Sequence, residues 1–405
     1  MQVRTRNWTD LAIFGGAPAF QEELHVGRPN IGNRQRLFER IDGVLSRRWL
    51  TNDGVCALEL EHRICELLGV KHCTVICNGT VALEVAVRAL ELSGEVIVPS
   101  FTFVATAHAL QWLGITPVFC DVDPRTHTID PGQAERLITP LTTAILGVHL
   151  WGEACEVETL ADTARRHGIA LLFDAAHAFA CSHQGRMIGN FGRLEIFSFH
   201  ATKFFNTLEG GAIVTNEDSL GDKVRAMRNF GFGPHDQVID VGTNGKMNEF
   251  SAAMGLTGLE SLEEFVNVNY CNYDAYQSGL AGLPGIRLLL FDENERRNYQ
   301  YVVLEIDETV TGITRDEVME ILQRESVLAR RYFHPGCHRM DPYRRRFPEV
   351  GSRLPVTETL TKRVLTLPTG TAVSPEDVRT ICELIQLILS HSGEVHERLQ
   401  KVSRQ

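Results

Sequence analysis

One lysine sets the chemistry open to this chain. Lys203 closes the run Ser198-Phe199-His200-Ala201-Thr202-Lys203 and is followed by Phe204-Phe205-Asn206, so its neighbours are apolar or hydroxyl-bearing. Desolvation disfavours an ammonium ion, and a lysine held in such a turn has reason to lose its proton. A neutral amine attacks carbonyls, which makes Lys203 a candidate Schiff-base lysine; the alternative is a solvated loop lysine.

Three further turns carry polar groups. Asn78-Gly79-Thr80 sits between a strand-like and a helix-like run, where free backbone N–H groups, a close-approach glycine and a hydroxyl could hold a phosphate. The same tripeptide could equally be a capped turn. Asp174 follows the apolar run Leu171-Leu172-Phe173, either as a helix cap or as the partner of a buried cationic ring nitrogen. His177 could contact that ring, and Phe103, in Pro99-Ser100-Phe101-Thr102-Phe103, could stack on its face or be core. A lysine amine, a carboxylate for a pyridine nitrogen, an aromatic face and a phosphate cup are together the requirements of pyridoxal phosphate. Lys203 would then be the base and acid that moves a proton beside it.

Elements must bring these turns together. Hydrophobic periodicity predicts helices over 34–46 and 55–68, then alternation: strands over 74–77, 96–98, 117–120, 144–149, 170–173, 196–199 and 212–215, with helices over 81–92, 105–113 and 156–167. This is the pattern of an α/β fold with a mostly parallel sheet between helices, whose sites form at the carboxyl ends of the strands. All four polar turns follow strands. Residues 11–31 read as an extended arm. A helix over 259–280 leads out of a large domain, 1–265, into a smaller α+β domain, 266–405, with a strand over 299–306, helices over 314–325 and 375–390, and a frayed tail after 392.

Composition narrows the classes. A net charge of -11 argues against nucleic-acid binding, which needs a basic footprint. Ten cysteines without CxxC spacing, and residues 1–6 without a following apolar run of leader length, lead to the expectation of a reduced, cytoplasmic protein. Residues 96–120 lack formal charges over a membrane-spanning length, but prolines, glycine and polar residues divide them into strand, turn, helix and strand. His334, Cys337 and His338 lie close in sequence, yet a Pro-Gly turn without a fourth donor is poor metal geometry. Arg344-Arg345-Arg346 reads as a solvated charge run or a diphosphate-steering patch.

The segments Asn78-Gly79-Thr80-Val81-Ala82-Leu83, 99–106, Asp174-Ala175-Ala176-His177, 198–203 and Glu209-Gly210-Gly211 resemble the DegT/DnrJ/EryC1/StrS family of nucleotide-sugar aminotransferases, and the resemblance runs over nearly the whole chain. It implies a fold-type I transferase with a seven-stranded sheet and pyridoxal phosphate, alternating with pyridoxamine phosphate. Lys203 would bind the cofactor covalently, Asp174 would pair with its ring nitrogen, and Phe103 and His177 would flank the ring. Gly79, Thr80 and Ser198 would hold the phosphate. Asn244 would reach the site of a neighbouring subunit, which implies a homodimer with shared active sites. Where the family more often has Asn-Tyr-Arg, this chain has Asn244-Gly245-Lys246, so Lys246 stands in for the arginine as a substrate contact. His338 is a second candidate substrate contact.

Dehydratases of the family replace the lysine by histidine; Lys203 therefore points to transamination from L-glutamate. The stretches 228–232 and 244–247 are similar to the branch that aminates C4 of dTDP-4-keto-6-deoxyglucose, in making deoxysugars for antibiotics or surface polysaccharides. Amination at C3, a sugar dehydratase or lyase, and a cofactor-binding regulator are the alternative readings.

Overall fold

A computed structural model of the chain describes residues 7–402, with the side chain of 402 excluded. The reading of residues 1–6 lies outside the described residues, as does the end of the tail at 403–405.

The large sheet has seven strands: β1 His72–Ile76, β2 Glu95–Pro99, β3 Thr116–Cys120, β4 Thr142–Val148, β5 Ala170–Asp174, β6 Glu195–Ser198 and β7 Gly211–Thr215. Their order is β1-β7-β6-β5-β4-β2-β3. All neighbours are parallel except β7, which runs antiparallel to β1 and β6. Side chains alternate between two cores, as period-2 strands buried on both faces require. Along β5, Leu171 and Phe173 enter one core, with Ile97, Ile145 and Phe197. Leu172 enters the other, with Val98, Leu146 and Ile196.

Element boundaries follow local chemistry. The helix Gly79–Ala89 starts two residues earlier than periodicity predicts, because the Asn78 side chain accepts from the Val81 N–H and caps it. The helix expected over 259–280 is Leu262–Leu280, and a further helix not expected from the sequence, Glu249–Glu260, precedes it across Ser261. That further helix carries an almost wholly buried apolar surface with no amphipathic stripe to read. Thr314 and Ser374 cap their predicted helices with full capping boxes.

The smaller sheet, β8 Ile286–Leu288, β9 Val302–Ile306 and β10 Val364–Leu367, is antiparallel. Strand β9 begins later than 299 because Tyr299 takes a left-handed φ of 48°. Its core takes in Leu11 and Leu24 from the N-terminal arm. The frayed tail expected after 392 is instead a helix, Ser392–Val402, anchored by buried Val395 and Leu399. Two apolar residues four apart on one helix face were the signal for it.

Remote carboxylates tie the parts together. Buried Asp121, just past β3, accepts from the N–H of Val356 (2.9 Å) and from both the N–H and hydroxyl of Thr357 (2.7 Å each), at the start of the helix Pro355–Arg363 that leads into β10. Glu249 does the same for the Cys56 and Ala57 N–H groups of the helix Val55–Leu68. Among the described residues no helix is long and apolar enough to cross a membrane, and 96–120 forms β2, a helix and β3. Replacing Asp121 by alanine would strand three donors. The expected loss in urea unfolding is about 2–4 kcal/mol, with a smaller loss for Asp121→Asn.

Candidate active site

Four strand ends open onto one cavity of about 490 Å³. Asn78, Gly79 and Thr80 reach it after β1, Thr102 and Phe103 after β2, Asp174 at the end of β5 with His177 beyond it, and Ser198 at the end of β6 with Lys203 beyond it. Residues separated by more than a hundred positions thus share one wall, as expected of a parallel sheet.

Asp174 is buried at the end of β5. Its Oδ2 accepts from the Thr106 hydroxyl at 2.9 Å and its Oδ1 from the Ala176 N–H at 3.0 Å. Burial raises its pKa, and these hydrogen bonds and the charge of Lys203 oppose that rise. A cationic ring nitrogen is the kind of partner that would complete this carboxylate.

Lys203 is half-buried, with Nζ 3.3 Å from the Tyr301 hydroxyl. Desolvation pushes its pKa down to about 8, against the opposing influence of Tyr332 and Asp174. The shift moves the amine toward its unprotonated form near neutrality. His177 is buried, with its ring 4.4 Å from that of Tyr301. Burial, reinforced by Lys203, holds it well below the usual histidine range, so it is neutral.

The phosphate cup has both chemistry and shape. The first turn of Gly79–Ala89 offers N–H groups without intrahelical acceptors. A Cβ at Gly79 would lie 2.9 Å from the Ser198 Cβ, so only glycine lets these two turns approach. Phe103 lines the cavity yet is 59% exposed, an aromatic face without a protein partner covering it. Amine, carboxylate, aromatic face and anion cup fit pyridoxal phosphate.

The other three candidates lie elsewhere. His338 does not line the cavity: its Nδ1 is 2.7 Å from the Ser100 hydroxyl and its Nε2 2.8 Å from Glu358. Lys246 donates to Asn229 at 3.0 Å and sits over the Phe230 ring, while Asn244 is exposed and its backbone is bridged to Asn229. Neither lines the cavity of its own chain. Sequence reasoning did not single out Thr106, Tyr301 or Arg330 as site residues. Tyr301 looked like one more apolar residue of a strand, and Arg330 belongs to a segment whose fold carried no periodic signal.

The sequence pattern of the DegT/DnrJ/EryC1/StrS aminotransferase family matches residues 32–386, and the chain belongs to that family. It is accordingly an aminotransferase, of a class that depends on pyridoxal phosphate. The chain is 34% identical over 365 residues to the dTDP-4-amino-4,6-dideoxy-D-glucose transaminase of Escherichia coli, covering 89% of this chain and 98% of that one. It is 32% identical over 377 residues to the GDP-perosamine synthase of Caulobacter vibrioides, covering 90% and 98%. A crystal structure of DesI in the presence of its TDP-sugar product matches with a TM-score of 0.92 at 47% identity, covering 97% of this chain and 99% of that chain.

The Gly79–Ser198 contact yields a direct expectation. Gly79→Ala should weaken retention of pyridoxal phosphate about tenfold, ~1.4 kcal/mol, in equilibrium dialysis, without lowering the unfolding temperature by more than a few degrees.

Proposed function

We propose that the enzyme moves an amino group from L-glutamate to C4 of a dTDP-4-keto-6-deoxyhexose, giving dTDP-4-amino-4,6-dideoxyglucose. The observation that carries this reading is the meeting of Lys203, Asp174 and the Gly79–Ser198 cup in one cavity, in a chain so similar to a protein with a TDP-sugar product.

Gly79, Thr80 and Ser198 would bind the phosphate of pyridoxal phosphate, Asp174 its ring nitrogen, and Phe103 and His177 the ring faces. Lys203 would be its covalent anchor. Bound there, the cofactor supplies an electron sink that lets a proton leave the carbon bearing the nitrogen. Asp174 stays ionised against a cationic partner, because two hydrogen bonds already hold its oxygens. The Lys203 Nζ would accept that proton, and when the sugar is bound it would deliver a proton to the carbon gaining nitrogen from the same side, so one face of that carbon receives it. Val148 and Ile196, both buried, give the cavity an apolar floor that would help keep water out. Arg330 is the guanidinium among the lining residues and is available to an anionic group of either substrate.

A homodimer with shared active sites gives Asn244 and Lys246 their role, each reaching the partner's cavity. Exposed Phe230, Phe232, Val238, Ile239 and Val241, on the segment just before Asn244, support this, since monomers seldom leave such a run uncovered. His338, pinned away from the cavity, drops out of the substrate set. We propose the division at residue 265 with one change: the N-terminal arm, through Leu11 and Leu24, packs in the C-terminal core rather than with the large domain. Ten unpaired cysteines support a reducing, cytoplasmic setting.

The test is the visible absorbance of the cofactor-loaded protein. L-glutamate should bleach the band and dTDP-4-keto-6-deoxyglucose should restore it, with Lys203→Ala at least about 10³-fold slower in turnover. A band indifferent to amino acids would point instead to a dehydratase or a regulator.

A further inference from the structure

Tyr301 sits at the junction of a buried chain of polar groups that the transfer of the amino group does not by itself require. Its hydroxyl lies 3.3 Å from Lys203 Nζ and 3.2 Å from His177 Nε2. On the far side of the imidazole, the Trp151 backbone N–H lies 3.4 Å from Nδ1. Trp151 is fully buried and takes a left-handed φ of 61°, uncommon for so bulky a residue.

The direction of this chain can be read from its one fixed end. A backbone N–H can only donate, so Nδ1 of the neutral His177 is the acceptor and Nε2 carries the proton. That N–H points at the Tyr301 oxygen. With one lone pair of the phenol engaged, its O–H is left free to donate, and the Lys203 nitrogen is within reach. An unprotonated amine has a lone pair to accept it; an ammonium ion has none.

We propose that Tyr301, oriented by His177 and the Trp151 backbone, donates a hydrogen bond to the neutral Lys203 amine and so favours its proton-accepting form. Tyr301 is then a catalytic residue, touching the reacting nitrogen, and His177 acts through it as a positioning residue in addition to any contact with the cofactor. When Nζ takes up a proton, the Tyr301 O–H loses its acceptor and the hydrogen bond must reverse. The reversed bond leaves the Tyr301 O–H between two donors with no acceptor, and this buried unmet donor penalises the ammonium and favours onward delivery of the proton. The inference rests on the reading of Lys203 as the reacting amine.

Other titratable groups line the same cavity. They are the Asp174 carboxylate at the end of β5, the Glu209 carboxylate, the Tyr332 phenol, the Arg330 guanidinium, and His200 from the same turn as Lys203. Asp174 and Tyr332 both favour the charged form, so they work against Tyr301 and cannot mimic its effect.

Tyr301→Phe separates the possibilities by sign. Phenylalanine keeps the ring, whose centroid is 5.8 Å from Nζ, and removes only the hydroxyl. The measurement is the pH dependence of reductive methylation of Lys203 in the full chain freed of cofactor, read by peptide mass spectrometry. The wild-type midpoint should fall at about 8. In Tyr301→Phe it should rise by about one unit, because a donor to the neutral amine has been lost. A lower midpoint would mean that the phenol accepts from an ammonium, and an unchanged one that it only packs; either overturns the proposal.

A second measurement needs no variant at position 301. ¹⁵N NMR of the histidine-labelled wild-type chain should show His177 as the Nε2–H tautomer, and an Nδ1–H tautomer would overturn the proposal. Borohydride reduction of the cofactor-loaded protein tests the underlying reading separately. Pyridoxal phosphate should be fixed on Lys203, and its fixation elsewhere would remove the basis for assigning Tyr301 a role in catalysis.

Discussion

The withdrawal of one amine from water governs the design of this molecule. An ammonium in bulk solvent would be inert toward a carbonyl at neutral pH, and desolvation is the main influence that brings Lys203 down to about 8. Desolvation at a sheet edge requires walls. Asp174, Ser198 and the cap of the helix Gly79–Ala89 come from strand ends of the large sheet, whereas Tyr301, Arg330, Tyr332 and Phe333 come from the C-terminal part. Neither set encloses the cavity alone. The same closure that lowers the lysine raises the Asp174 carboxylate and neutralises His177, so the three ionisations are consequences of one enclosure.

Keeping the two walls in register falls to a few buried carboxylates. Asp121 joins the end of β3 to the helix before β10, while Glu325 holds the N-terminal arm on the C-terminal core, accepting from the Ala12 and Ala19 N–H groups at 2.7 Å each. These anions satisfy backbone donors that would otherwise be buried without partners, which costs more than a typical hydrogen bond returns. The Ser100 hydroxyl, bonded to His338, does similar work just beyond β2. His338 has the chemistry of a substrate ligand but is used here as a strut.

Much of this was legible in the sequence. Strands such as Leu171-Leu172-Phe173 are apolar on both faces, and the polar residue that ends each one marks the site because strand ends in a parallel sheet share an edge. Lys203, Asp174, His177, Gly79, Thr80, Ser198 and Phe103 could be found this way. Tyr301 could not, because nothing local distinguishes a phenol aimed into a cavity from one packed in a core. Its role depends on a pairing across 98 positions. Glu249–Glu260 was hidden for the opposite reason: a helix buried nearly all round has no stripe. Asn244 and Lys246 lie outside the cavity of their own chain, beside an exposed apolar run, so no strand end ties them to it.

The proposed activity requires that the amine of glutamate end on C4 of the sugar. It is tested most directly by incubating the enzyme with ¹⁵N-labelled L-glutamate and dTDP-4-keto-6-deoxyglucose and locating the label in the sugar by NMR. Nitrogen-15 bonded to C4 is the expected result. Label bonded to C3, or a deoxygenated sugar without nitrogen, would contradict it.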